Sequence, residues 1–242
     1  MDADDFRRRL VPGADLRGIT FPSSPDLHGM DLHGADLRGA DLQRVGSWGD
    51  PSVDLTDVNL SGADLRGAEL GVPDFEGADL RGALLSGLDL SRRGQFAVTS
   101  FDGADLTGAD LSGVNVGGAT FDRAVLDRAV LDGAVLTSCS LRRVSLVGTS
   151  LVGADLRKSA LMSADLRGAN LTDALLPDLG AFGGVRFDSA TQWSETVRAQ
   201  AVANSVAGPD DTWVITAPAP PAQQQRRRRR SSREETLNFM TW

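Results

Sequence analysis

The residues able to carry out acid–base, nucleophilic or metal chemistry are either few or evenly spread. The chain has one cysteine, Cys139, and two histidines, His28 and His33, among 242 residues. One cysteine excludes a disulfide framework and a multi-cysteine zinc site, and two histidines exclude a His-rich metal centre. No GxSxG, P-loop, HExxH or CxxC pattern occurs. The 33 acidic residues recur at fixed spacing, so no pair stands out as a general acid and base. The expectation is a non-catalytic protein with no cofactor and no metal. Non-covalent chemistry remains. Asp41, Glu69, Asp89 and Asp110 fall, by spacing, into one column of carboxylates. Val125, Val130, Val147 and Val152, with Val135, fall where an apolar patch would form. Arg226, Arg227, Arg228, Arg229 and Arg230 form a basic run near the C-terminus.

What must position these groups is a repeat, and repeats are sought first because they decide the fold. A Leu or Phe returns at every fifth residue, and from Phe96 to Leu176 only Val116 departs from those two types. Shorter runs cover Leu27–Leu42 and Leu55–Leu90. Leu16 with Phe21, and Phe182 with Phe187, flank them, for 33 repeats in all. Two residues before each centre sits a small residue, usually Ala, as at Ala104, Ala109 and Ala154. A period of five fits neither a helix nor a strand, so it is a period of the path of the chain. One unit makes a short edge and a turn, with two side chains inward and three outward. Gly62, Gly67, Gly108 and Gly113 fill the last slot, where a corner too tight for a side chain is expected. Four edges close a square coil, and at a strand spacing of ~4.8 Å the repeats give about eight coils.

This pattern resembles the pentapeptide-repeat family, whose motif is A(D/N)LXX: ADLRG stands at 35–39, 63–67 and 78–82, and DLRG at 165–168. The resemblance covers about residues 14–190. It implies an all-β fold, a right-handed quadrilateral β-helix. The family also includes proteins that protect type II topoisomerases by resembling duplex DNA. The resemblance therefore implies a protein partner such as DNA gyrase or topoisomerase IV, and no specific binding of DNA by the β-helix itself. Its topoisomerase-protecting members also form twofold dimers through the C-terminal end, which implies the same homodimer here.

The breaks in the repeat assign faces. With Leu55, Leu60, Leu65 and Leu70 as first to fourth, Leu90 is fourth and Phe96 is expected to be first after a one-residue insertion. Eight extra residues separate Leu42 from Leu55, and one separates Phe21 from Leu27, so all three irregularities fall on one corner. The loop at 43–52, carrying Trp48, is a candidate contact element. On this count Phe75 stacks on Phe96, Phe101 stacks on Phe121, and Asp41, Glu69, Asp89 and Asp110 share the fourth face. The valines fall on the third and fourth faces. Cys139 takes the small inward slot and is expected to behave as a buried hydrophobe. His28 and His33 point outward.

Charge is distributed unevenly. The chain carries a net −8, but residues 217–242 hold six Arg against two Glu, which leaves −12 on the rest. Residues 26–115 carry −10 and residues 116–173 carry +1. A protein of this sign is not a generic DNA binder. An acidic density over the early coils close to that of duplex DNA, one charge per ~1.7 Å, favours a DNA-like surface that binds a topoisomerase. The alternative is a scaffold that docks protein partners through the valine face and the C-terminal tail. The expected organisation is an N-terminal cap at 1–13, with a short helix at 4–10, and a β-helix at 14–192. A capping helix follows at 193–208, then a flexible Pro/Arg-rich tail at 209–242. That tail is expected to dock on the chain's own acidic coils, and Ser232 with Glu235 is a candidate capping box before the LNFMTW ending. MDADDFRRRL lacks the apolar core of a signal peptide and no stretch of 18 apolar residues occurs, so a cytoplasmic location is expected.

Overall fold

The structure, a computed structural model, describes residues 8–20, 27–42, 52–91 and 98–216. The expected N-terminal helix before residue 8, Phe21, the Trp48 loop up to residue 51, Phe96 and the tail from residue 217, with its Arg run, capping box and LNFMTW ending, lie outside these residues.

The body is a four-sided coil, held by parallel bridges between residues one coil apart. In regular coils the step is twenty residues, as in Asp105↔Val125↔Ser145 and Val130↔Ser150↔Asn170. Each centre donates its N–H to the next coil, for example Leu60 N to Asp79 O at 2.8 Å and Leu106 N to Val125 O at 2.7 Å. Each also accepts, through its carbonyl, the N–H three residues on, as in Ala63 N to Leu60 O at 3.0 Å. That bond closes a turn at most corners; after Leu70 the residue three on is Pro73, which has no N–H to give. Between corners the edges are too short for regular strands except at β1 (Ser52–Asp54) and β2 (Val72–Asp74), which pair in parallel.

The third residue of each turn has positive φ. At Gly62, Gly108 and Gly113 it is 66°, 68° and 63°. A Cβ built at these three meets nothing within 4 Å. The expected crowding is therefore absent, and glycine is favoured by backbone conformation alone. Arg123, Arg128, Ser138, Arg143, Lys158 and Ser163 hold the same slot in later coils, with φ between 56° and 64°. A side chain there costs about 1–2 kcal/mol.

The core follows the repeat. Leu and Phe centres and the Ala two residues before them are buried along the whole coil. Where the small slot is polar, the side chain reaches a backbone carbonyl. Thr149 Oγ1 donates to Leu126 O at 2.7 Å and Cys139 Sγ to Val116 O at 3.2 Å, the same step back of 23 residues. Burial raises the Cys139 thiol to about 11, so it is inert, as its slot suggested.

One insertion is longer than the sequence count. Asp74 bridges Ser100, a step of 26 residues, so six residues, not one, are inserted after the coil that ends at Leu90. Phe101, not the centre at 96, is the first-face residue above Phe75. Phe75, Phe101 and Phe121 form one column, with ring centroids 5.0 and 4.6 Å apart. The five-residue spacing of 96 and 101 hid this, because either phenylalanine completes the pattern. The eight-residue insertion before Leu55 stands, since Asp36 bridges Asp64 and Asp41 bridges Glu69.

The C-terminal end is closed differently from expectation. β3 (Arg186–Asp188) continues the coil, α1 spans Glu195–Ala203, and β4 (Ser205–Ala207) and β5 (Thr212–Ile215) follow. β5 lies between β3 and β4, antiparallel to both. The helix is thus shorter than 193–208, and residues 209–216, assigned to the tail, belong to the cap. Their alternation is the reason: Trp213 packs on Phe187 at 5.7 Å and Ile215 is fully buried. An antiparallel pair covers the last edge that a parallel coil would leave open.

If φ governs the corner slot, Gly113→Ala should lower the urea midpoint by about 1 kcal/mol of stability, although its site has open space. An unchanged midpoint would show that the slot selects on something else.

Candidate functional site

The carboxylate before each centre has a local structural role. Its Oδ1 accepts the backbone N–H two residues on: Asp64 from Arg66 at 3.1 Å, Asp79 from Arg81 at 3.2 Å and Asp110 from Ser112 at 2.9 Å. Asn59 does the same for Ser61 at 3.1 Å. Such side chains close turns by mimicking backbone, which accounts for the recurrence of Asp and Asn.

What differs between faces is the residue after the centre. On the second and third faces of the early coils it is often Arg, which returns two bonds to the same carboxylate. Arg38 Nε and Nη2 lie 2.9 and 2.6 Å from Asp36, Arg66 sits identically on Asp64, and Arg81 lies at 2.8 and 2.5 Å from Asp79. Bidentate pairs of this kind are the strong ones. They hold Asp36, Asp64 and Asp79 below the usual carboxylate range, and they neutralise these two faces.

The first and fourth faces carry carboxylates whose turn is closed without an arginine two residues on. There the neighbour is a hydroxyl or a backbone amide. Asp54 accepts from Thr56 Oγ1 at 2.7 Å, Asp89 from Ser91 Oγ at 2.7 Å, and Asp74 from Glu76 N at 3.1 Å. Glu69, Glu76 and Asp57 are exposed beside them. In the coil of Leu55 these two faces carry Asp54, Asp57 and Glu69; in the coil of Phe75 they carry Asp74, Glu76 and Asp89. Duplex DNA carries about three charges over the same ~4.8 Å.

The expected column is partly confirmed. Asp41 and Glu69 bridge, and Asp89 follows in the next coil of the fourth face, but Asp89 then bridges Asn115. Asp110 bridges Leu84 and Val130 and belongs to the third face. The six-residue insertion moves it there. The ladder also omits the Glu69–Asp89 step, where Glu69, Leu70, Gly71, Leu88 and Asp89 line a depression of about 260 Å³. The first-face acids Asp54, Asp57, Asp74 and Glu76 were not singled out by the sequence. The available signal was the set of centres that no Arg follows.

The valines fall one face earlier than expected. Val125, Val130 and Val135 bridge partners on three successive faces, the second, third and fourth. Val147 and Val152 are half-buried, and their N–H groups donate to Asp127 and Asp132 of the preceding coil at 3.1 and 3.0 Å. Polar bonds thus run through the surface between them. His28 and His33 are exposed and bond Thr56 Oγ1 and Asp31 Oδ1 at 2.6 and 2.9 Å. Among the described residues, no group of side chains fits a metal ion and no helix is long and apolar enough to cross a membrane.

A family model described as pentapeptide repeats matches eight copies, over residues 5–45, 99–137 and 139–176. No curated protein matches the sequence. The similar solved structures include HetL, Rfr23 and QnrB1. HetL, a pentapeptide-repeat protein involved in heterocyst differentiation regulation in the cyanobacterium Nostoc, is 24% identical over 76% of this chain and 96% of its own, with a TM-score of 0.39. Rfr23, from the cyanobacterium Cyanothece 51142, is 21% identical over 50% and 91%, with a TM-score of 0.42. QnrB1, a plasmid-mediated fluoroquinolone resistance protein, is 15% identical over 78% and 94%, with a TM-score of 0.45.

The Asp–Arg pairs set a pH dependence. Folding lowers these carboxyl pKa values, so the folded state binds fewer protons and the pairs stabilise it above the unfolded value near ~3.9. That contribution is lost as pH falls through the lower folded values. An Asp36→Asn/Asp64→Asn/Asp79→Asn variant should be less stable than wild type at pH 6, with the gap closing as pH falls below about 4. Urea midpoints across this range test it; a constant gap would assign the effect to the turn bonds instead.

Proposed function

This chain belongs to the pentapeptide-repeat family, and from that premise we propose that it is a non-catalytic, cytoplasmic protein that binds a basic groove on a protein partner by imitating duplex DNA. The partner proposed is a type II topoisomerase, DNA gyrase or topoisomerase IV, and the biological effect is protection against poisons of that enzyme. One observation carries the reading. Three carboxylates per coil stand on the first and fourth faces of two successive coils, at the charge spacing of DNA, while arginines neutralise the other two faces. Charge confined to one side can replace a phosphate backbone in a basic cleft, and it also raises the rate of encounter.

The insertions of eight and six residues leave the coil at the corner between these two acidic faces. The scaffold alternative rests on Val125 with Val147 and Val130 with Val152, on the adjoining second and third faces.

Glu69→Gln/Glu76→Gln/Asp89→Asn changes exposed groups only and should leave the fold intact. In gyrase supercoiling and quinolone-cleavage assays the wild-type protein should alter the enzyme's response. The triple variant should need at least about tenfold more protein, and added salt should weaken the wild type. No effect of the wild type on either topoisomerase, or equal potency of the variant, would end this reading.

A further inference from the structure

We propose that Arg123, Arg142 and Arg143 form a binding site for a small phosphate-bearing ligand on the first face, separate from the acidic surface. The three arginines line a depression of about 450 Å³ together with Asp102, Asp122 and Ser163.

Three features set these arginines apart. First, Arg123 and Arg143 occupy the corner slot in successive coils, with φ of 64° and 56°. The two preceding coils place Gly77 and Gly103 there, at 67° and 68°. Each arginine holds a backbone conformation that glycine adopts without strain, as Arg128, Ser138, Lys158 and Ser163 do in the same slot, but only here do arginines hold it in two successive coils of one face. Second, the two stand one coil apart, so like charges are stacked at about strand spacing. Third, no carboxylate pairs with either among the described residues. This contrasts with Arg38, Arg66, Arg81, Arg157 and Arg167, each on its own aspartate.

The nearby acids are already engaged along the coil. Asp102 Oδ1 accepts Asp122 N–H at 2.8 Å, and Asp122 Oδ1 accepts Ser140 Oγ at 2.6 Å and Arg142 N–H at 3.0 Å. Arg142 Nη1 donates to Ser140 Oγ at 2.8 Å and stands 4.0 Å from Asp122 Oδ2. A strained, mutually repelling arginine pair with no anion of its own is completed by one from solution. One guanidinium satisfies a carboxylate, whereas three converging on one depression match a dianionic phosphate, whose oxygens accept from several forks. The net −12 outside residues 217–242 repels an extended polyanion, so the ligand is small.

Arg123→Gly and Arg143→Gly install the residue that other coils use, so neither variant threatens the fold. By calorimetry at low salt, wild type should bind phenyl phosphate more tightly than benzoate, and each variant should lose at least about tenfold in affinity. The double variant without ligand should have a urea midpoint equal to or above wild type, because strain and repulsion are relieved. Inorganic phosphate in a parallel titration separates a free-phosphate site from an ester site, and binding of either supports the proposal. It would be overturned by no phosphate binding to wild type, by equal binding of benzoate, or by affinities in the variants within twofold of wild type.

Discussion

The coil depends on a turn that closes after nearly every centre, with its third residue at positive φ. The hydrogen bond from the residue three positions on fixes the corner, and the N–H of the centre is left to reach the next coil. Two side chains per unit must then point inward, which demands Leu or Phe at one slot and Ala or a small polar residue at the other. Cys139 and Thr149 obey the rule by donating to the carbonyl beneath them. Five residues are few, and the backbone uses most of their freedom. Chemistry is therefore confined to the outward slots.

On the outward slots the same aspartate can be structural or functional, and its neighbour decides which. At Asp64 the Arg66 fork turns a carboxylate into a neutral pair, while at Asp54 a threonine hydroxyl closes the same turn and brings no charge. This is why net charge over residues 26–115 says less than its division between faces. The later coils use another arrangement. Asp122, Asp127 and Asp132 sit after the centre and bind the coil that follows, so their charge is spent on stacking and the arginines at the corners are left over. One fold thus carries an acidic surface and a basic depression without any change of path.

The repeat, its period, the inward residues and the location of the insertions were legible in the sequence because each is a local, periodic demand of the backbone. The insertion length after Leu90 was not. Phe96 and Phe101 both satisfy the five-residue rule, and only stacking on Phe75 distinguishes them. That one choice moved Asp110 to another face and shifted the valines by one face. The β5 cap was missed for a similar reason. Trp213 and Ile215 form a short alternating run next to a Pro-rich segment, and they become a strand only when Phe187 is there to pack on.

By itself, then, the sequence determined that the chain is a coil of five-residue edges with an apolar interior and charge outside, since hydrogen bonding and burial act within a few residues. The tertiary structure alone decided which charges stand side by side. Neighbours across the coil are twenty to twenty-eight residues apart in sequence, and a single inserted segment changes every pairing beyond it. Electrostatic character belongs to those pairings, so the acidic faces and the unpaired arginines became visible only when the register was set.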